Sequence, residues 1–251
     1  MDRVKTGING LDEMLGGGLL ANTANLVEGA PGTGKTTLGM QFIYNGIQAN
    51  EPGLIITFEE FPKQYYHDAA TFGWDFAALE KQGLLKVVMT SPETSRLDLE
   101  SVDGMLEKHI RKMGAQRVVV DSISQFTRLT RDPVELRGLE FAYINALKRH
   151  GLTSILTRES QTLLGEANGD SQIAFVVDSY IILRYIEIES AIQKALFVLK
   201  MRGSDHAKDI RQYEINRAGF EVQAKFEGRE GLLSGSPRRM GDSFVKAFVK
   251  R

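Results

Sequence analysis

The chain contains no cysteine, and this absence excludes disulfide bonds and thiolate metal sites. It also lacks a long apolar run, because no stretch approaches the ~18 residues that a membrane-spanning helix requires. The first ten residues, MDRVKTGING, hold no apolar core of the kind found in secretory signal peptides. Together these absences predict a cytoplasmic protein that does not associate with a membrane.

Net charge is nearly absent as well. The 31 basic and 32 acidic residues leave a formal charge of −1, so the chain as a whole has no electrostatic field that would attract nucleic acid. A nucleic-acid role would therefore need a local basic patch. The length of 251 residues suits one large α/β domain as well as two small domains, so length alone does not decide between them.

What the chain does have is a glycine-rich stretch over residues 29–36, GAPGTGKT, which fits the pattern G-x-x-x-x-G-K-[ST]. A short apolar run over residues 23–28 predicts a strand before it, and residues 38–44 predict a helix after it. This is the context that a phosphate-binding P-loop requires. The alternative is a chance match, which four fixed positions give in roughly one chain of this length in a hundred, and the flanking elements make it rarer.

Each residue type in the P-loop has a physical reason to bind phosphate. Glycines let backbone N–H groups point inward around phosphate oxygens, and the following helix adds the positive end of its dipole. The Lys35 ammonium would reach the β- and γ-phosphates, and the Thr36 hydroxyl would bind Mg²⁺. The sequence therefore predicts a bound nucleoside triphosphate with Mg²⁺, held by Gly32, Thr33, Gly34, Lys35, Thr36 and Thr37.

The remaining pattern predicts an α/β fold. Strands are predicted at residues 54–58, 85–89, 117–121 and 152–157, and helices at 62–72, 99–113 and 133–150. This alternation is typical of a mostly parallel, twisted sheet with helices on both faces. After about residue 178, strand periodicity at 179–187 and 193–201 predicts an antiparallel hairpin that extends the sheet, with a smaller hairpin at 211–215 and 220–222.

No linker or internal repeat divides the chain, so we expect a single domain over residues 1–251. In the first 20 residues, four apolar side chains share one helical face and are expected to cap an edge of the sheet: Ile8, Leu11, Met14 and Leu15. The tail over residues 232–251 contains Ser, Gly, Pro and several basic residues, and we expect much of it to be mobile.

Acidic residues follow two of the apolar strands. Asp121 ends the strand at 117–121. In P-loop folds an acid at this place helps to hold Mg²⁺ from the side opposite the P-loop hydroxyl, here Thr36, although a strand-terminal Asp can also cap a helix. Glu59 and Glu60 end the strand at 54–58, which we expect to neighbour the P-loop strand and so to face the ligand crevice. One of them could polarise a water for attack on the γ-phosphate, and Glu59 is also a candidate metal ligand. The alternative is a solvated pair at a helix start.

A basic segment over residues 200–208, KMRGSDHAK, follows the second strand of the larger hairpin and is expected at the edge of the sheet. Its basic residues have two interpretations. They could lie on a solvated edge strand, or they could reach a phosphate on a neighbouring subunit, as arginine fingers do. The segment alone does not decide.

In their order along the chain, these pieces resemble the RecA-like ATPases, and most closely a single KaiC domain, from about Thr6 to Met240. The matching pieces are TGINGLDEMLGGGL from Thr6, GAPGTGKTT from Gly29, FEE from Phe58, VVVDS from Val118, KMRGSDHAKDIR from Lys200 and SGSPRR from Ser234. An ordered set of six motifs is highly specific.

The resemblance implies a RecA-like P-loop NTPase fold and a homo-oligomer, a hexameric ring with ATP held between subunits. It implies that the catalytic residues are Glu59, Glu60, Lys35 and Arg202, with Thr36, Asp121 and Glu59 around Mg²⁺. It favours the interpretation in which the basic segment approaches the phosphates of the neighbouring subunit. The further nucleotide contacts implied are Lys200, Met201, Arg202, Ser204 and His206 from that neighbour, and Thr71 and Phe72 at the base.

Two features depart from the circadian members of that family. Those proteins carry two such domains in tandem, whereas this chain carries the motifs of one. Their phosphorylated Ser-Thr pair, just before the strand that starts at Ser179, is replaced here by Ala174 and Phe175, so autophosphorylation at that pair is impossible. The expectation is a KaiC-like ATPase and not a complete clock.

Several functions remain open at this point. The favoured one is an oligomeric ATPase that drives conformational switching or the binding of a regulatory protein. A DNA-binding recombinase or its paralogue would use the loop at 124–137, which offers Arg128, Arg131 and Arg137, but the second loop at 161–172 has no Lys or Arg. A scaffold that binds ATP only to assemble, and a KaiC-type kinase acting at other sites, would share the same parts.

Overall fold

Strands and helices alternate along most of the chain in the computed structural model, which describes residues 2–101, 104–160, 172–226, 229–232 and 238–239. The strands are β1 (Arg3–Val4), β2 (Leu19–Leu20), β3 (Ala24–Gly29), β4 (Gly53–Thr57), β5 (Leu85–Met89), β6 (Arg117–Asp121), β7 (Thr153–Glu159), β8 (Ser179–Ile188), β9 (Ala191–Met201), β10 (Arg211–Asn216), β11 (Gly219–Lys225), β12 (Arg229–Glu230) and β13 (Arg238–Arg239). The helices are α1 (Leu11–Met14), α2 (Lys35–Gln48), α3 (Pro62–Thr71), α4 (Phe76–Lys81), α5 (Pro92–Glu100), α6 (Met105–Met113) and α7 (Pro133–Arg149), with 3-10 helices at Ile123–Arg128 and Gln172–Phe175.

The main sheet has the strand order β11-β10-β9-β8-β3-β7-β6-β4-β5. The strands from β8 to β5 in this order are parallel, and β9, β10 and β11 continue the sheet in antiparallel pairing. The predicted parallel sheet with an antiparallel C-terminal extension is therefore confirmed. Glu189 and Ser190 join β8 to β9 with φ values of 51° and 63°, as a two-residue type I′ turn requires.

The order of the strands differs from the prediction in one respect that matters for the site. β3, the P-loop strand, lies between β7 and β8, and both β7 and β6 separate it from β4. The prediction that Glu59 and Glu60 follow a strand adjacent to the P-loop strand is therefore wrong. Local pattern does not encode strand order, because β4 and β6 are equally apolar and either could occupy the place beside β3.

Helices cover both faces of the sheet, as predicted. Along β6, Val119 joins the hydrophobic cluster that contains α2, α3 and the N-terminal segment, whereas Val118 and Val120 join the cluster beneath α5, α6 and α7. The N-terminal segment lies against the outermost antiparallel strand, since the Asn9 carbonyl accepts a hydrogen bond of 2.9 Å from the Val222 N–H. Within the ranges that the structure describes, no helix has the length and apolar character needed to cross a bilayer.

The predicted helix over residues 99–113 is wrong in its extent, because the chain forms two helices there, α5 and α6. α5 has start signals of its own, since the Ser91 hydroxyl accepts a hydrogen bond of 3.1 Å from the Thr94 N–H and Pro92 occupies the first helical turn. A Cβ at Gly104, the residue before α6, would lie 1.9 Å from the Asp98 carbonyl oxygen. Most of the predicted mobile tail, residues 233–237 and 240–251, lies outside the described residues.

A buried group of charges lies between the sheet and α7. The Arg158 guanidinium is 3.9 Å from Glu28 and 4.0 Å from Glu140, and the Tyr180 hydroxyl donates to Glu28 at 2.6 Å. Burial raises the pKa of Glu140 to about 7, against the opposing charge of Arg158.

We expect Glu140→Gln to change the pH dependence of stability. Between pH 4.5 and about 7 the folded state keeps a proton on Glu140 that the unfolded state has lost, so this group lowers the free energy of unfolding as pH rises. Glutamine carries no such proton. From about pH 5 to about pH 8 the variant should gain roughly 1–3 kcal/mol relative to the wild type, measured by denaturant titration. Glu187→Gln, at an exposed position on β8, is the control, and a pH-independent difference for Glu140→Gln would contradict the assignment.

Candidate active site

The P-loop lies at the carboxyl end of β3 and leads directly into α2, so the predicted strand, loop and helix are confirmed. Gly32 and Gly34 have φ values of 77° and 93°, which side-chain-bearing residues reach only with strain. A Cβ at Gly34 would also lie 2.2 Å from the Ile215 side chain. Glycine is therefore required at Gly34 by both the backbone conformation and the packing.

The Lys35 ammonium points back into the loop. It donates to the carbonyl oxygens of Gly29 and Ala30, at 2.8 and 3.1 Å. Burial lowers the pKa of Lys35, while the carboxylate of Asp121 opposes that shift. A partly desolvated cation that is held by two neutral carbonyls would gain from a phosphate partner, which fits the role predicted for this side chain.

Asp121, at the end of β6, is surrounded by hydroxyl groups. Its Oδ2 accepts hydrogen bonds from Thr36 at 2.7 Å and from Tyr65 at 2.8 Å, and its Oδ1 accepts one from Thr157 at 2.5 Å. Burial, followed by the charge of Asp121, raises the pKa of Tyr65, so its hydroxyl stays a donor. The P-loop hydroxyl and the strand-terminal acid thus meet as the sequence predicts.

The oxygens of Thr36 and Asp121 are the ligand type that Mg²⁺ prefers. No group of three or more Asp, Glu or His side chains that could hold a metal occurs in the part of the chain that the structure describes. These two residues would therefore supply only part of a Mg²⁺ shell. Phosphate oxygens and water would complete it, which is how Mg²⁺ usually binds in nucleotide sites.

Glu59 and Glu60 follow β4, one strand beyond Asp121. The Thr57 hydroxyl accepts a hydrogen bond from the Glu60 N–H at 3.1 Å and so turns the chain at the strand end. The Glu59 carboxylate lies 3.3 Å from Arg128, whereas no side chain among the described residues forms an ion pair with Glu60. Both acids are exposed at the same edge of the sheet as the P-loop, and Glu59 as a metal ligand stays a prediction.

Thr71 and Phe72, the residues expected at the base, lie at the end of α3. Phe72 stacks on Trp74 with ring centroids 4.8 Å apart, and Trp74 stacks on Tyr44 of α2 at 5.4 Å. The Thr71 hydroxyl donates to the Asp68 carbonyl at 2.6 Å. The half-buried Phe72 therefore ends an aromatic stack that starts on the P-loop helix, and its contact with a base stays a prediction.

The basic segment lies at the opposite end of the sheet from the P-loop. Met201 pairs with Ser179 at the start of β8, and Ser179 pairs with Asn25 near the start of β3. The P-loop begins four residues further along β3, at Gly29, a distance of roughly 13 Å in a strand. The predicted edge position holds in part. β9 lies between β8 and β10 in the sheet, but β10 pairs with it only at Leu196 and Ala195. The Met201 side chain is buried in the core, so its contact with a nucleotide stays a prediction.

Two cations of the segment are held by main-chain carbonyls of the 3-10 helix Gln172–Phe175. The Lys200 ammonium donates to the Ala174 carbonyl, and Arg202 donates to the Phe175 carbonyl at 2.5 Å. Burial lowers the pKa of Lys200, and the nearby charge of Arg202 lowers it further. Because these acceptors are neutral, both positive charges remain available to an anionic group on a second molecule.

The two other residues expected from this segment lie close by. The Ser204 hydroxyl accepts a hydrogen bond from Arg3. Partial burial lowers the pKa of His206, and the charge of Lys208 adds to the effect. Both side chains therefore belong to the same end of the molecule as Arg202.

Two tyrosines that sequence reasoning missed hold the P-loop backbone. The Tyr213 hydroxyl donates to the Thr33 carbonyl at 2.7 Å, and the Tyr185 hydroxyl donates to the Pro31 carbonyl at 3.2 Å. Burial raises the pKa of Tyr213. In sequence these residues resemble ordinary strand aromatics, and only the strand order, with β8 beside β3, brings them to the loop.

The three arginines considered for DNA binding, Arg128, Arg131 and Arg137, are exposed, and Arg128 has an acidic partner. Arg128 pairs with Glu59, and Arg137 lies in a groove together with Arg202. Residues 161–171 of the second loop considered for DNA lie outside the described residues. The DNA-binding alternative therefore stays a prediction.

Comparison with known proteins gives a consistent result. The family model for "ATPase: KaiC" matches residues 4–227. Circadian clock protein KaiC3 of Synechocystis sp. is 35% identical over 245 residues, which cover 97% of this chain and 48% of that protein. The circadian clock oscillator proteins KaiC of Thermostichus vulcanus and Nostoc sp. are 34% and 35% identical, over 95% of this chain and 46% of each relative. The chain thus spans about half the length of the curated relatives it matches.

Proposed function

The chain belongs to the KaiC family of ATPases, and from this premise we propose that it binds ATP and Mg²⁺ between two copies of itself and hydrolyses the ATP. The copies would form a closed ring, a hexamer as in the family resemblance, in the cytoplasm. The hydrolysis cycle would drive conformational switching or the binding of a regulatory protein partner.

One observation carries this proposal: the two halves of the site lie at opposite ends of the sheet. Lys35, Thr36 and Asp121 meet at the carboxyl end of the parallel strands, whereas Lys200 and Arg202 lie at the amino end. A chain built in this way completes its site only by stacking head to tail on another copy. Such heterologous contacts generate a closed ring when the rotation between subunits closes.

Within one chain, the phosphate-binding half has a clear division of roles. The P-loop amides and Lys35 would bind the β- and γ-phosphates, and the hydroxyls of Tyr65 and Thr157 would hold the Asp121 carboxylate towards Thr36. Mg²⁺ bound beside Thr36 and Asp121 would neutralise part of the negative charge of the phosphates.

Different groups would accept the proton of the attacking water and stabilise the negative charge of the transition state. The carboxylate of Glu59 or Glu60 would accept a proton from the attacking water. Because Arg128 is 3.3 Å from Glu59, the two acids differ in their surroundings, although both are exposed at the same edge of the sheet. The guanidinium of Arg202 and the ammonium of Lys200, from the neighbouring copy, would stabilise the charge that grows on the transferred phosphoryl group.

The mass of the assembly with and without ATP and Mg²⁺, measured together with phosphate release, tests this function. We expect the wild type to form rings when ATP is present and to release phosphate. The variant with both Glu59→Gln and Glu60→Gln keeps the size of the side chains, so it should still assemble, with phosphate release slower by ~10²–10⁴-fold.

Glu93→Gln, an exposed acid in the first turn of α5, is the matched control and should behave as wild type. Phosphate release that survives the double substitution would indicate a scaffold that binds ATP only to assemble. A protein that stays monomeric at about micromolar concentration with ATP bound would contradict the shared site.

A further inference from the structure

We propose that Phe61 of one copy seats in an apolar groove of the next copy and so fixes the approach of that copy's Arg202. The inference deepens the proposed function and rests on its head-to-tail arrangement. This contact of Phe61, beside the nucleotide, would hold the two halves of the site in register.

The groove, called the α7 groove here, is a cavity of about 380 Å³ between α7 and the 3-10 helix Gln172–Phe175. Its apolar walls are Val134, Phe141 and Phe175, which are 75, 53 and 68% exposed. Arg137 and Arg202 also line it. Adjacent exposed apolar side chains that are bordered by polar groups are typical of a protein-binding surface.

Phe61 offers an apolar ring that such a groove could bury, since its side chain is 69% exposed. It occupies the N-cap position of α3, directly after Glu59 and Glu60. An aromatic ring at such a fixed position loses little conformational freedom on binding, which is why aromatic residues often anchor interfaces.

The proposed catalytic arrangement brings these two features together. Arg202 lines the α7 groove, and the Phe175 carbonyl accepts its hydrogen bond at 2.5 Å. If Arg202 reaches the γ-phosphate of the next copy, the groove must lie beside the residues that surround that phosphate. In the proposed function Glu60 is one of them, and Phe61 is its chain neighbour, with Cα atoms about 3.8 Å apart.

The charges that border the two surfaces are compatible with a second copy in head-to-tail orientation as the occupant. Two cations, Arg137 and Arg202, line the groove. On the Phe61 side, Glu59 is paired with Arg128 and Lys63 lies beside Phe61, so the exposed Glu60 carboxylate is the acid that remains without an ion pair among the described residues. Two copies of the groove side would bring arginines together, which disfavours a symmetric contact there, whereas Glu60 on the Phe61 side would attract Arg137 and Arg202. Phe61 would therefore provide apolar contact area next to an attraction between Glu60 and the arginines of the groove.

Because the chain has no cysteine, single thiols can test this contact directly. A Phe61→Cys chain and a Phe175→Cys chain, one with an affinity tag, are mixed with ATP and Mg²⁺ and treated with a short bis-maleimide. We expect a cross-linked dimer that contains both chains, and none from either chain alone. Leu97→Cys, at an exposed position on α5, replaces Phe175→Cys as the control and should give only background.

Alanine variants give an independent measure. Phe61→Ala and Phe175→Ala should each raise the protein concentration needed for ATP-dependent assembly by about 10- to 100-fold, because a ring is no longer buried. The double variant should raise this concentration little more than either single variant does, since the two residues share one contact. Leu97→Ala should assemble as wild type.

The outcomes separate this contact from the function on which it rests. If rings form with ATP but no mixed cross-link appears and Phe61→Ala assembles as wild type, the Phe61 contact is wrong and the shared ATP site stands. If the wild type forms no assembly with ATP at all, the shared site is wrong and the Phe61 contact falls with it.

Discussion

Lys35→Ala should abolish nucleotide binding at ordinary concentrations. Lys35 is the cation that donates into the P-loop, to the carbonyls of Gly29 and Ala30, and its removal takes from the phosphates the positive charge that the P-loop itself supplies. The loss of a charge-assisted contact of this kind corresponds to a fall in affinity of about 10²- to 10³-fold. Titration of the variant with a fluorescent ATP analogue measures the change.

Lys81→Ala, at an exposed position on α4, is the matched control and should bind as wild type. The thermal unfolding temperature of Lys35→Ala without nucleotide shows whether the variant is folded. A folded variant with unchanged affinity would refute the P-loop assignment.

Arg202→Ala should leave nucleotide binding largely intact and slow hydrolysis by about 10³- to 10⁵-fold, the range found for arginine fingers. Arg202 follows the end of β9, at the far end of the sheet from its own P-loop. We therefore expect it to act on the nucleotide of the neighbouring copy and not to hold the nucleotide of its own chain. Phosphate release and nucleotide affinity are measured on the same preparation.

Arg202→Lys is the informative companion variant. It keeps the positive charge but loses the planar fork that contacts two oxygens at once, so its rate should lie between those of wild type and Arg202→Ala. If Arg202→Ala instead loses affinity by as much as it loses rate, Arg202 contributes to ground-state binding and is no transition-state finger.

Local signals in the sequence were sufficient for the elements around the P-loop. The glycines that need positive φ, the β4 and β6 apolar runs and the hairpin at Glu189 and Ser190 all depend on residues close together in the chain. Asp121 was also identified in this way, and the structure places it 2.7 Å from the Thr36 hydroxyl.

The parts that were missed depend on strand order or on contacts between distant residues. The sequence pattern does not show that β7 and β6 separate β3 from β4. For the same reason it could not identify Tyr65 and Thr157 as the hydroxyls that hold Asp121. The roles of Tyr185 and Tyr213 at the P-loop also appear only once the antiparallel strands are placed beside β3.

Mixing the Arg202→Ala chain with the Lys35→Ala chain tests the shared site most directly. Each variant alone should release phosphate far more slowly than the wild type, but in a mixed ring the intact P-loop of the first chain can meet the intact Arg202 of the second. Phosphate release should therefore return, with up to about one quarter of the interfaces complete in a random equal mixture. An absence of recovery at every mixing ratio, with mixed rings shown to form, would contradict a site completed by the neighbouring copy.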